Sequence, residues 1–297
     1  MALSWLALVP VLSAQIVVTN ISVADAFVRS LDPTHNYGGA GALSVSGAIA
    51  TNVIGQQQGL LDSFMQFDMS NAVSIFNNNF GVGRWTIVRA TLNLFEQGAP
   101  NNTVFNRGVG LFEVRWLANN SWIEGTGTPN APTNNGIVWN DRPSLLNSKL
   151  DESLGTYVNG GTDGVVRTTL TNSVRFMKDL TSGGSVSIYF TAPTSSPVGF
   201  TFHSHNFVDS NQWPFVELTA VPVPRITSLA VVGSDARISF DTGTNLPYVV
   251  EYKNDLASGD WESLTNLTSA GGLLTVIDPG AAALSRRFYR IRLVISP

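Results

Sequence analysis

The sequence contains no cysteine, which excludes disulfide bonds, thiolate metal sites and a cysteine nucleophile. Charged residues make up 13% of the chain, about half the share of an average soluble protein. Lysine and arginine form no cluster beyond Arg286 and Arg287, and the net charge is −4. Because nucleic-acid binding requires a basic face, this class of function is excluded. The lack of disulfides does not exclude secretion, since a large β core can be stable without them.

Apolar residues are 43% and aromatic residues 10% of the 297 positions, enough for a sizeable core in one large or two smaller domains. With so few charges, the polar surface must come from Asn, Ser, Thr and Gly. This composition favours an extracellular or cell-surface β-protein, or one that buries much of its outside against copies of itself. A monomer with few charges is the plain alternative.

Residues 1–15 form an apolar N-terminal segment that is too short to span a bilayer. Residues 2–14, ALSWLALVPVLSA, end in small residues and resemble the hydrophobic part and cleavage site of a secretory signal, without a basic residue at the start. The segment is therefore either signal-like or an assembly tail, held by a neighbouring subunit or by its own domain. As a tail, it would make contacts through its large apolar side chains, namely Leu3, Trp5, Leu6, Leu8, Val9, Val11 and Leu12.

The rest of the chain repeats one pattern, a short β-rich run followed by a turn of Gly, Asn and Pro. Residues 85–96, WTIVRATLNLFE, alternate apolar and polar side chains with a period of two, which predicts a half-buried strand. In residues 24–47, Asp32-Pro33 ends a strand, and the glycines that follow Asn36 predict a tight loop with positive φ. Residues 168–180 carry an apolar stripe at helical spacing and predict the only helix.

The dipeptide repeat Val221-Pro222-Val223-Pro224 is a stiff linker and the best domain boundary. We therefore predict a first domain at 16–221, a linker at 222–225 and a second domain at 226–297. Short β runs with turn signals follow the linker in quick succession, which is typical of a small β-sandwich. The predicted fold class is all-β.

Two tryptophans, Trp122 and Trp139, lie in the long irregular stretch 119–143. A loop of this length is uncommon unless it is functional or held by its own side chains. The tryptophans are interpreted as pins that hold the loop, with an exposed aromatic platform for sugar rings as the alternative.

His203 and His205 are two positions apart in a predicted strand, so their rings would face the same side. Both could hold one metal ion with Asp209 as a third ligand. The alternative is that both are surface or interface residues that form hydrogen bonds. His35 lies in the Asn- and Gly-rich loop and is interpreted as a turn residue.

No catalytic motif stands out, and we predict that the chain is not an enzyme. The G-x-S-x-G elbow of serine hydrolases is missing, and the carboxylates of Glu113, Glu124, Asp141 and Glu152 show no spacing typical of a glycosidase pair. Four sequons could accept N-linked glycans, at Asn20, Asn101, Asn119 and Asn266.

Seven segments, in order along the chain, resemble the DNRLRE family, which is related to carbohydrate-binding modules of the disaggregatase type. They are ADAFVRS, NYGGAGALSV, SFMQFDMS, ATLNLFE, GLFEVRW with NSWIEGTGT, IVWNDRP and FHSHNF. The resemblance covers roughly 23–221 and implies a jelly-roll β-sandwich with one short helix and a polysaccharide ligand. The sequence departs from the family at neutral Phe64 and Gln66, and at His205, where the closing strand often carries a carboxylate.

The jelly-roll expectation raises the question of calcium, which often pins loops in such folds through carboxylates and carbonyls. Asp25, Asp32 and Asp68 lie near loop ends and could contribute ligands.

The segments YVVEYKNDL, DWESL, DPG and RRFYRIRL resemble the fibronectin-III or Ig-like modules at the C-termini of bacterial secreted proteins. Such a module implies a spacer or a contact surface.

Two functions follow. The first hypothesis is a non-enzymatic extracellular structural protein, whose N-terminal segment adds a strand to the next copy and builds a filament or surface layer. The second hypothesis is a carbohydrate-binding module that uses an aromatic loop platform.

Overall fold

A computed structural model describes residues 15–52, 54–97, 110–158, 164–257 and 259–294. Strands make up 52% and helices 12% of the structure, which confirms the predicted all-β sandwich fold class. Residues 1–14 lie outside the described residues, so the predicted assembly contacts of this segment stay a prediction. Among the described residues, no helix has the length and apolar character needed to cross a membrane.

Fourteen strands and three α-helices follow one another in the described part of the chain. The first strands and helices are β1 Ile16–Arg29, β2 Ala42–Ser46, β3 Leu61–Asp68, α1 Ser70–Phe80, β4 Trp85–Glu96, β5 Leu111–Leu117, α2 Arg142–Leu145, β6 Glu152–Val158 and β7 Gly164–Thr169. The remaining ones are α3 Val174–Leu180, β8 Ser185–Thr191, β9 Gly199–His203, β10 Phe215–Pro222, β11 Arg225–Val232, β12 Asp235–Lys253, β13 Glu262–Asp278 and β14 Phe288–Leu293.

The first ten strands form one sheet in the order β1-β10-β4-β9-β2-β3-β8-β5-β6, with β7 beside β4. β1 pairs with β10 and also with β3, so one long strand joins two distant parts of the sheet, as in sandwiches whose strands switch sheets. The first half of β1 alternates exposed and buried side chains, whereas Asp25–Val28 is buried throughout. This second half, covered on both faces, is where the candidate site is built.

Helix α1 was not predicted, because its segment SNAVSIFNNNF is rich in asparagine, which favours turns over helices. The Oδ1 atom of Asp68 accepts a hydrogen bond from the backbone N–H of Ser70 at 2.8 Å and so starts the helix. Ala72, Phe76 and Phe80 then recur every four residues and are buried.

The predicted helix at 168–180 was correct only from Val174 onward. Residues 164–169 form β7, which pairs with β4 from Thr91 to Glu96. The alternation of β-branched residues in GVVRTT fits this edge strand better than a helix.

The C-terminal strands form a four-stranded sheet in the order β11-β12-β13, with β14 beside β12. The sequence predicts only short strands after the linker, but β12 is one long strand, and its pairing with β13 shifts register between Thr244 and Pro247. Phe240, Tyr248 and Val250 are buried in its core. The resemblance to fibronectin-III or Ig-like modules stays a prediction.

The chain divides into two compact units, one made of Val17–Ser74 with Arg89–Leu218 and the other of Ile75–Val88 with the chain from Thr219 onward. The predicted domain limits at 16–221, 222–225 and 226–297 stay a prediction. The site described next lies within the first unit.

Candidate functional site

Two loops that are distant in sequence meet beside the second half of β1, and the side chain of Asn36 joins them. This side chain belongs to a fully buried residue. Its Nδ2 atom donates to the carbonyl oxygens of Glu124 at 2.6 Å and Ile137 at 2.9 Å. Its Oδ1 atom accepts from the N–H groups of Gly38 and Gly127, at 3.1 Å and 3.0 Å. One amide thus holds the loop 36–41 against the loop 124–137.

Glycine is required at this crossing because the two backbones touch. A Cβ atom on Gly38 would lie 2.2 Å from the carbonyl oxygen of Glu124, and one on Gly127 would lie 1.9 Å from that of Asn36. The sequence predicts positive φ for this loop, but only Gly41, with φ 69°, adopts it in residues 36–41. At Gly38 the reason for glycine is therefore close approach rather than backbone conformation.

The crossing borders a groove of about 330 Å³. Its floor includes the rings of Phe27 and Tyr37, which stack at a centroid distance of 4.6 Å with 5° between their planes. Exposed Pro129 and Pro132 of the long loop line the groove, with exposed His35 nearby. The groove therefore combines an apolar floor with an open, polar edge.

Arg29, Asp32 and Gln58 form the polar edge of the groove. Arg29 donates from Nη1 to Asp32 Oδ2 at 2.8 Å, from Nε to the Gln58 carbonyl at 2.9 Å and from Nη2 to Gln58 Oε1 at 3.2 Å. The Tyr37 hydroxyl donates to Asp32 Oδ2 at 3.1 Å, and burial together with the Asp32 carboxylate raises the pKa of Tyr37 to about 12. The tyrosine hence stays a neutral donor, and the edge presents fixed hydrogen-bonding groups.

At the crossing of the two loops, Asp25, Glu124 and His205 bring one ligand atom each to within 4.8 Å of one another. The Nδ1 atom of His205 lies 3.4 Å from Asp25 Oδ2 and 3.3 Å from Glu124 Oε1. The Asp25 side chain is fully buried, while those of Glu124 and His205 are 20% and 19% exposed. We call these three residues the carboxylate–histidine cluster.

Burial raises the pKa of Glu124 to about 7, because the favourable charge of His205 only partly offsets desolvation and the Asp25 carboxylate adds to the rise. The Asp25 carboxylate in turn raises the pKa of His205 against the effect of burial. The cluster therefore favours positive charge at its centre, from a proton or from another cation.

A family model described as carbohydrate-binding module family 96 matches residues 16–215, about two thirds of the chain. The chain belongs to this family. The match confirms the predicted likeness to carbohydrate-binding modules, while the finer likeness to the DNRLRE family stays a prediction. The matched residues include the strands and loops that build the groove and the carboxylate–histidine cluster.

No curated protein matches the sequence. Among solved structures, the chain is similar to the β-glucuronidase of Ruminococcus gnavus, with 9% identity, a TM-score of 0.25, and coverage of 95% of this chain and 42% of that one. The complex of that enzyme with N1-substituted uronic isofagomine gives 9% identity, a TM-score of 0.24, and coverage of 95% and 44%. The chain thus spans less than half the length of these enzymes, and TM-scores this low carry no argument about fold or function.

The structure of this family 96 module separates the predicted metal ligands His203, His205 and Asp209. His203 stacks on Phe207 at 3.5 Å, with Nε2 2.6 Å from Gln97 Oε1. Asp209 accepts from the backbone N–H of Asn211 and from Gln212 Nε2, at 3.0 Å each. The predicted set is therefore corrected: β9 ends at His203, so strand alternation does not extend to His205.

Sequence reasoning counted Glu124 among the free carboxylates but did not connect it with His205, 81 positions away. The signal that could have connected them is the set of glycines around each segment, Gly38, Gly39, Gly125 and Gly127, which the crossing requires. Of the three aspartates considered for calcium, only Asp25 belongs to the cluster. Asp32 pairs with Arg29, and Asp68 accepts from Ser70.

Trp122 is 7% exposed and lies in the core with Phe64 and Ile137, where its Nε1 donates to Ser187 Oγ at 3.0 Å. The Trp139 ring is partly buried against the same core, and the Arg142 guanidinium covers it at 4.1 Å. Both side chains hold the long loop in place. The Trp122 ring offers no exposed face for a sugar.

Among the predicted glycan acceptors, Asn20 is 6% exposed, which does not fit a bulky surface modification. Asn119 is half-buried and Asn266 is exposed, and the modification of both stays a prediction. Asn101 lies outside the described residues.

Proposed function

We propose that this module binds a polysaccharide in the groove beside β1 and acts by binding rather than by catalysis. The observation that carries the proposal is membership of carbohydrate-binding module family 96 over residues 16–215, the region that builds the groove. We further propose that the chain works outside the cell or at its surface, where extended polysaccharides occur.

The groove offers the two kinds of contact that a sugar needs. The apolar C–H faces of sugar rings pack on aromatic and proline rings, here Phe27, Tyr37 and the prolines of the long loop. Hydroxyl groups exchange hydrogen bonds with fixed donors and acceptors, here Arg29, Asp32 and Gln58. Because these polar groups already hold one another, little side-chain freedom would be lost on binding.

The same groove supports a binding role over hydrolysis. Among the described residues that line it, Asp32 is the only carboxylate, and it is paired with Arg29 at 2.8 Å. Glycoside hydrolysis in most families uses two carboxyl groups on opposite sides of the bond.

The test is retention of the full chain on a panel of insoluble polysaccharides and its mobility in gels that contain soluble ones. Arg29→Ala and Gln58→Ala should each weaken binding at least tenfold for the retained glycan. Arg167→Ala, which removes an exposed arginine from β7, is the matched control and should bind like the parent. Circular dichroism establishes that each variant folds.

Arg29→Lys provides a second variant that keeps the charge but loses the planar fork of donors. It should fold like the parent and still bind more weakly. Retention on no member of the panel, or equal binding by the groove variants and the control, would contradict the proposal.

A further inference from the structure

We propose that the carboxylate–histidine cluster of Asp25, Glu124 and His205 is a binding site for a divalent transition cation, with Zn²⁺ as the best fit. This inference goes beyond the proposed function, because the ion would bind in the absence of any sugar.

The distances fit a tetrahedral ion. Zinc binds imidazole nitrogen and carboxylate oxygen at about 2.0–2.2 Å, which places neighbouring ligand atoms of a tetrahedron about 3.3–3.5 Å apart. The Nδ1 atom of His205 lies 3.4 Å from Asp25 Oδ2 and 3.3 Å from Glu124 Oε1. Two edges of the tetrahedron are therefore already in place.

Two buried polar atoms of the cluster have no hydrogen-bond partner among the described residues. They are Asp25 Oδ1 and, despite the two nearby carboxylates, His205 Nδ1. The Asp25 side chain is 0% exposed, so bulk solvent does not reach it. Since buried polar atoms in native proteins are almost always satisfied, a cation bound at His205 Nδ1 would satisfy that atom, and it would satisfy Asp25 Oδ1 as well where the carboxylate binds the same ion through both oxygens.

Neighbouring groups hold the ligands in position before an ion arrives. Asn206 donates from Nδ2 to Glu124 Oε1 at 2.7 Å and to the Gly38 carbonyl at 3.0 Å. The backbone N–H of His205 donates to Asp25 Oδ2 at 2.8 Å, and the ring of Trp213 meets the imidazole edge-on at 6.0 Å. Such outer contacts orient metal ligands and tune their affinity.

The ligand types favour zinc over calcium or magnesium. Calcium takes six to eight oxygen ligands and magnesium takes six in an octahedron, whereas zinc binds imidazole nitrogen and carboxylate oxygen together in a four-coordinate site. The three ligands come from β1, the long loop and the turn after β9. A bound ion would therefore tie the long loop to the sheet beside the groove.

The experiment uses the full chain, stripped with a chelator and dialysed into a buffer that does not bind metals. Calorimetric titration with zinc chloride should show one ion per chain, and thermal unfolding should shift upward by several degrees in excess zinc. Calcium chloride at the same concentration should give neither effect. Cobalt(II) added to the stripped chain should give the intense visible absorption of a tetrahedral site.

His205→Asn and Glu124→Gln should each lower zinc affinity at least tenfold. The matched control is His35→Asn, which removes an exposed imidazole outside the cluster and should bind zinc like the parent. The proposal is overturned if the parent shows no zinc binding, if His205→Asn binds zinc as tightly as the parent, or if calcium shifts unfolding as much as zinc. The cobalt spectrum is read on the parent chain, so the outcome does not depend on how well a variant folds.

Discussion

The side-chain amide of Asn36 donates to the backbone carbonyl of Glu124 at 2.6 Å, across 88 positions of sequence. The same amide also donates to Ile137, and its oxygen accepts from two glycine N–H groups. This one residue places Glu124 next to Asp25 and brings the long loop to the wall of the groove. The candidate site therefore depends on a residue that belongs neither to the groove lining nor to the carboxylate–histidine cluster.

Asn36→Ala should lower the free energy of unfolding by about 3 kcal/mol, because four buried backbone groups lose a partner. Urea unfolding followed by circular dichroism measures the loss. Asn52→Ala, in an exposed loop with local hydrogen bonds only, is the control and should cost less than about 1 kcal/mol. Equal costs for the two variants would show that the crossing does not depend on Asn36.

Gly127→Ala should be destabilising by about 3 kcal/mol, since the new Cβ atom would lie 1.9 Å from the carbonyl oxygen of Asn36 and the backbones would have to separate. Gly184→Ala is the matched control, because its Cβ atom would meet only the Ser182 hydroxyl at 3.6 Å. The midpoints of thermal unfolding of the two variants are compared, and that of Gly127→Ala should be the lower. A Gly127→Ala variant as stable as the control would mean that the two loops can part freely.

The strands were the most predictable part of the fold. Period-two patterns such as 85–96 identify β4 at its observed limits, Trp85–Glu96, because a half-buried strand imposes its geometry on the sequence directly. Helix α1 escaped prediction because tertiary burial of Ala72, Phe76 and Phe80 overrides the poor helix propensity of its asparagines.

The site was less predictable than the strands. The pairing of Asp25 with Glu124 and His205 joins residues from three separate segments, and no local pattern records that contact. The burial of Trp122 likewise depends on the path of the long loop. What the sequence did contain was the glycines and the asparagine of the crossing, whose role becomes clear only when both loops are seen together.

Arg142→Met should destabilise the protein by about 3 kcal/mol at pH 8, because Arg142 Nη2 pairs with Asp62 Oδ2 at 2.5 Å and Asp62 is almost fully buried. Burial raises the pKa of Asp62 even with Arg142 present, and without the arginine the rise should be larger. A raised pKa means that the folded state binds the proton more tightly, so the variant should regain stability as the pH falls towards 5. Chemical unfolding at pH 8 and pH 5 measures this recovery.

Arg175→Met serves as the control for that change, since its side chain is 47% exposed and its contact with Glu152 is 4.0 Å long. It should cost less than about 1 kcal/mol at either pH. If the loss of unfolding free energy in Arg142→Met is as large at pH 5 as at pH 8, the loss does not arise from the charge of Asp62.

The Glu152 carboxylate begins helix α3 from outside the helix. Its Oε2 atom accepts from the Ser173 hydroxyl at 2.5 Å and from the backbone N–H groups of Arg175 at 3.0 Å and Phe176 at 3.2 Å. Desolvation by burial raises the pKa of Glu152, but these hydrogen bonds outweigh it and the net pKa is lowered. A negative charge at this end of a helix is also favoured by the helix dipole.

Glu152→Gln should therefore cost about 1 kcal/mol at neutral pH, where the carboxylate is fully charged. Because the folded-state pKa is depressed, the stabilisation by Glu152 is complete above the pKa of the unfolded chain and is lost as the pH falls through the lower, folded value. The difference between parent and variant should hence shrink below about pH 4. Unfolding in urea across pH 7 to pH 3 measures it, with Glu113→Gln, a partner of Arg115 on β5, as the control. If the free energies of unfolding of the parent and of Glu152→Gln differ by the same amount at every pH, the charge of Glu152 does not stabilise α3.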